Sequence, residues 1–128
     1  MKEEIKAHVP DFYDWPHRWM GVDEDLAYGE KLLKHFEPFV FEITTGQLAK
    51  KTKKKHIDNL WLAGGELIRR ISDEENYNID PKELILECFG DDGGLYCRHL
   101  ETEDQFKSYD SSCRKFYKFM KQRGNQSD

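Results

Sequence analysis

From Asp23 onward, apolar side chains return every three or four positions without slipping phase: Leu26, Gly29, Leu32, Leu33, Phe36, Phe39, Val40 and Ile43. That period places them on one face of a helix. Asp23 is a good N-cap, and Glu24 and Asp25 sit favourably against the positive end of the helix dipole. Pro38 falls inside the pattern, where its ring opposes the carbonyl four residues back, so a kink or a division is expected there and a stop at Gly46. A second stripe, Ile57, Leu60, Trp61, Gly64, Leu67, Ile68 and Ile71, predicts a helix from Ala49 or Lys50 to about Ile71. Gly64 and Gly65 in its middle cost roughly 1 kcal/mol each relative to alanine, and the usual reason for such a pair is close approach by another helix.

Local start and stop signals place the remaining elements. Asp80-Pro81-Lys82-Glu83 reads as a capping aspartate, a proline at the first helical position and a glutamate at N3. The short helix that follows carries Leu84, Ile85 and Cys88 and closes by Gly90, ahead of a turn at Asp91-Asp92-Gly93-Gly94. Leu95 to Leu100 reads equally as a helical turn or an extended piece. Thr102-Glu103-Asp104-Gln105 is a capping box for a last helix whose face is Phe106, Tyr109, Cys113, Phe116, Tyr117 and Met120, with Gly124 as its stop. No run alternates as a strand does, and no segment repeats. The expected fold is all-α: a compact bundle of four to five helices over residues 23–124, with a frayed tail at 125–128. Residues 1–22, broken by Pro10 and Pro16 yet rich in rings, are expected to form an extended arm laid over that domain.

Composition narrows the class. A chain of 128 residues, 13% aromatic and 35% charged, is long enough to bury a core and too rich in rings for global disorder. No apolar run approaches the ~20 residues that span a bilayer, and the N-terminus lacks the apolar stretch of a signal peptide, so a cytoplasmic location is expected. Three cysteines, Cys88, Cys97 and Cys113, lack metal-type spacing and read as reduced thiols. A zinc site on Cys97 and His99 needs two further ligands that the spacing does not supply, and Asp91 to Gly94 lacks the alternating ligands and final glutamate of an EF-hand. Phosphate-binding glycine loops, nucleophile elbows and zinc-protease signatures are missing, and the five histidines are scattered. The expectation is a non-enzymatic protein without metal or cofactor.

Charge changes the picture again. The net value is -5, but residues 47–71 carry seven basic and two acidic side chains, and residues 103–123 carry six and three. Two helices therefore hold +5 and +3, against -13 on the rest, and association follows local potential more than the global sum. Lys50, Lys51, Lys53, Lys54 and Lys55 surround the opening turns of the second helix, where ammonium groups meet phosphates as point charges. Arg114 and Lys118 on the last helix are candidates to extend that surface.

Phe39-Val40-Phe41-Glu42-Ile43, followed by Gly46, Leu48, Thr52, Leu60 and Trp61, resembles the core-binding domain of tyrosine recombinases. The stretch Tyr109 to Met120, with Arg123-Gly124, is similar to the final helix of that domain. The resemblance implies a SAM-like helical core that clamps duplex DNA partly through the helix opening at Thr52. Ala49 stands where the family prefers a serine cap, and the sequence ends at Asp128 without the family's catalytic domain, so a binding module without chemistry is expected. The leading expectation is thus duplex-DNA binding with little base specificity through the lysine-rich helix end. The alternative is a protein-interaction module that uses Phe12, Tyr13, Trp15 and Trp19 of the aromatic arm and involves no nucleic acid.

Overall fold

Residues 1–126 are described by the computed structural model, with side chains to Arg123. The elements are α1 (Lys2–His8), a 3-10 turn (Phe12–Asp14), α2 (Trp15–Trp19), α3 (Glu24–Thr45), α4 (Lys50–Glu74), α5 (Pro81–Cys88) and α6 (Glu103–Gln126). All are helical, and the described residues contain no strand beyond an isolated bridge between Gly90 and Gly93. The expected all-α bundle is what forms, with α3 packed on α1, α2, α4 and α5, and α4 packed on α6.

The first 22 residues correct the expectation of an extended arm. They lie over the domain, but as two short helices and a 3-10 turn, and they supply part of the core. Phe12 and Trp15 are 0% and 2% exposed. Their rings begin a chain of edge-on and tilted contacts running Phe12–Trp15–Trp19–Phe36–Phe116 and on to Phe39 and Phe89. Each such contact adds about 0.5–1.5 kcal/mol beyond area burial. Packing of this kind holds a segment helical where its prolines alone argue for extension. Pro16 itself is compatible with a helix start, because it sits in the first turn of α2.

Of the kink or division expected at Pro38, division does not occur, and the stop expected at Gly124 is overridden. α3 runs through Pro38 as one element, since Phe36, Phe39 and Val40 on either side are locked into the core. α6 runs through Gly124 to Gln126, so residues 125 and 126 of the expected tail are helical, while 127 and 128 lie outside the described residues. Gly46 does end α3, in an extended conformation; a Cβ there would stand 2.8 Å from the Glu42 carbonyl. The two capping signals act as read. Asp80 Oδ1 accepts from the Lys82 amide at 2.9 Å, Thr102 Oγ1 accepts from the Gln105 amide, and Gln105 Oε1 accepts from the Thr102 amide. No helix of the described residues is long and apolar enough to cross a membrane.

The glycine pair of α4 has its expected close neighbour, an indole. Trp19 of α2 lies against Gly64, so near that a Cβ would meet Cη2 at 2.6 Å and Cε2 at 2.8 Å. Its Nε1 donates to the Trp61 carbonyl at 3.0 Å.

Candidate nucleic-acid interface

α4 opens without a side-chain cap. Ala49 is its N-cap residue and offers no oxygen; the first turn closes only through the Lys53 amide donating to the Ala49 carbonyl at 2.9 Å. The first amides of a 25-residue helix therefore face outward with the positive end of its dipole. Five lysines crowd the same turns, and their surroundings sort them into different roles.

Lys53 points inward and donates from Nζ to the Thr44 carbonyl at 2.9 Å, neutralising the free carbonyl end of α3. It ties α3 to α4 and is committed to the fold. Lys54 is exposed and pairs with Asp58 one turn on, Nζ to Oδ2 at 2.7 Å. Such an exposed pair contributes little to stability and opens readily for another anion. Lys50 and Lys51 are exposed and Lys55 is half-buried. Lys50, Lys51, Lys53 and Lys54 line an open groove of 790 Å³ against the end of α1, floored by Val9 and Ile57.

The second basic helix meets the first along a polar seam. Asn59 Nδ2 donates to the Ser108 carbonyl at 3.1 Å and to Ser112 Oγ at 2.9 Å, and His56 Nδ1 lies 2.8 Å from Ser112 Oγ. Position 56 meets 112 while 59 also reaches 108, so α4 and α6 run antiparallel. The basic end of α6 consequently lies beside the basic start of α4. His56 registers both: 5% exposed, its pKa is pulled down to about 4 by burial first, then by the charges of Lys55 and Lys115. The positive charge of both helices is thus felt at one buried imidazole.

Lys115 was not among the residues the sequence singled out. The available signal was polar: His56 and Asn59 at a spacing of three, Ser108 and Ser112 at a spacing of four, each on the edge of an apolar face. Matched against each other, those edges fix which sides of the two helices touch and bring Lys115 to the seam. Arg114 lies about 200° around α6 from Ser112, on the far side from α4. Lys118 is exposed, outside Lys115 on the same flank.

The aromatic candidates occupy different ground. Phe12 and Trp15 are interior, as described above. Tyr13 donates to Glu37 Oε2 at 2.6 Å beneath the ammonium groups of Lys2 and Lys6, and Trp19 is spent on Gly64 and the Trp61 carbonyl. None of the four is a free ring on the surface. Cys97 and Cys113 are buried thiols, while Cys88 is half-buried and accepts from Arg70 at 3.3 Å. Among the described residues no group of three or more histidine, cysteine or carboxylate side chains is placed to hold a metal.

Comparison with protein-family models, with curated proteins and with solved structures finds no match to this chain.

Proposed function

We propose that this is a non-enzymatic, cytoplasmic DNA-binding module that grips the backbone of duplex DNA with little base specificity, using Lys50, Lys51, Lys54 and Lys55 of α4 with Lys115 and Lys118 of α6. The observation that carries the reading is the antiparallel seam, which brings the cationic end of one helix beside the cationic end of the other. An uncapped helix start adds outward amides and a favourable dipole to the same spot. The resemblance of the segment around Thr52 to the SAM-like core-binding domain of tyrosine recombinases supports the same element as the contact. The aromatic-arm alternative ranks second, because Phe12 and Trp15 are enclosed by their own domain.

The test is fluorescence anisotropy of a short labelled duplex across a salt series. Six phosphate contacts give log K a slope of about -5.4 against log salt, and Lys51→Glu/Lys55→Glu should shallow that slope by about 2. Lys31→Glu/Lys34→Glu on α3 makes the same change in net charge away from the seam and should leave binding nearly intact. Absence of binding at low salt, or equal loss in both variants, rejects the proposal.

A further inference from the structure

α4 carries one face whose two ends are exposed and whose middle, at Leu62 and Gly65, is half-buried. Lys54, Asp58, Leu62, Gly65, Arg69 and Asp73 follow one another on it at spacings of three and four. Beside them Trp61 is 38% exposed, a large ring left in water. Shallow grooves of 410 Å³ and 380 Å³ flank this ridge, both lined by Trp61 and Leu62. Arg69 and Asp73 are exposed, and neither has an ion-pair partner among the described residues.

The order of charges along the face is self-complementary. Reading from one end gives Lys, Asp, Leu; reading from the other gives Asp, Arg, Gly. We propose that this face is a homodimer interface, in which α4 packs antiparallel on α4 of a second copy about a two-fold axis passing between Ala63 and Gly64. That axis sets Lys54 opposite Asp73 of the second copy, Asp58 opposite its Arg69, and Leu62 over its Gly65, each pairing occurring twice. The contact spans about 28 Å of helix. Leu62 seats over the half-buried Gly65, beside the Trp19 indole that borders it, while each Trp61 covers the flank of the ridge.

The register is specific. Sliding the second helix by one turn in one direction places Lys54 against Arg69; sliding it in the other places Asp58 against Asp73. A parallel arrangement sets every charge against its own kind. Only the proposed register matches all three pairs, and like charges in the others supply the discrimination. The alternation of sign also selects the occupant: a partner of a single sign meets like charge at two of the four positions, whereas a second copy matches all four, with Lys54 exchanging Asp58 of its own helix for Asp73 of the other, so that Lys54 serves either this contact or the DNA backbone.

The experiment is sedimentation equilibrium without nucleic acid. The wild-type mass should rise with concentration from 15.2 kDa towards about twice that value. Arg69→Glu faces Asp58 of the other copy and should weaken association roughly tenfold or more, since each substitution counts twice across the two-fold. Asp58→Arg should do the same, and the double variant should recover the dimer by exchanging the charges. Thermal melts of each variant verify that the fold persists. Trp61→Glu should also yield monomer, since it removes the ring that lines both flanking grooves. A monomer mass up to about 1 mM, the weak limit of specific association, overturns the proposal. So does a dimer indifferent to Arg69→Glu and Trp61→Glu, or a double variant that stays monomeric while folded.

Discussion

Replacing Gly64 by alanine puts a better helix former into the middle of α4, yet we expect it to destabilise the protein. The propensity gain is about 0.8–1 kcal/mol. Against it stands the Trp19 indole, whose Cη2 and Cε2 lie 2.6 Å and 2.8 Å from where the new Cβ must go. The ring cannot simply turn aside. It packs on Trp15 and Phe36, and its Nε1 donates to the Trp61 carbonyl at 3.0 Å. Displacing it costs about 1 kcal/mol for the hydrogen bond and about 0.5–1.5 kcal/mol for each ring contact weakened. A net loss of roughly 1–2 kcal/mol remains, within the usual range for overpacking. Gly65 is the control, because its nearest neighbour would be Trp19 Cδ1 at an ordinary 3.5 Å. Gly65→Ala should therefore gain close to the full propensity term, and the adjacent variants should differ by about 2–3 kcal/mol with opposite signs. Urea melts at low micromolar protein, with m unchanged, measure this directly. Trp19→Leu in the Gly64→Ala background should recover part of the loss, giving a coupling energy of about 1 kcal/mol or more. Equal melting of Gly64→Ala and Gly65→Ala would refute the argument that the indole sets the requirement for glycine.

Other consequences are equally accessible. His56 binds fewer protons folded than unfolded, because its pKa falls from about 6.5 to about 4 on burial beside Lys55 and Lys115. Its contribution is therefore complete above pH 6.5, is lost as pH falls towards 4, and amounts to roughly 3 kcal/mol at the limit. Stability curves of wild type and His56→Gln should converge over that window; parallel curves would show that His56 does not titrate there. Glu75 ends α4 in the left-handed region at φ 52°, with amides returning to the Ile71 and Ser72 carbonyls, so Glu75→Gly should stabilise by about 0.5–1 kcal/mol in calorimetry. Lys53→Met removes the ammonium from the Thr44 carbonyl and should cost about 1 kcal/mol while leaving the salt slope of DNA binding unchanged. A shallower slope in that variant would place Lys53 on the interface instead.

The sequence by itself determined whatever one helix can specify alone. The faces of α3, α4, α5 and α6, the caps at Asp80 and at Thr102 with Gln105, and the concentration of lysine at the start of α4 depend on residues within a turn or two of one another. Local geometry gives each of those signals a single meaning, and the structure keeps them. Long-range contacts decided the rest. Pro10 and Pro16 argue for an extended arm until Phe12 and Trp15 find the core; Pro38 leaves kink and division open until Phe36, Phe39 and Val40 are buried on both sides of it and the helix stays one element. The five lysines look alike along the chain, yet only packing turns Lys53 into a cap for α3 and leaves Lys50 and Lys51 in solvent. Lys115 joins them because His56 and Asn59 hydrogen-bond across to Ser112. A helix carries its own period and its own ends, but which side of it meets a neighbour is settled by the free energy of burying two surfaces together, and no local rule contains that term.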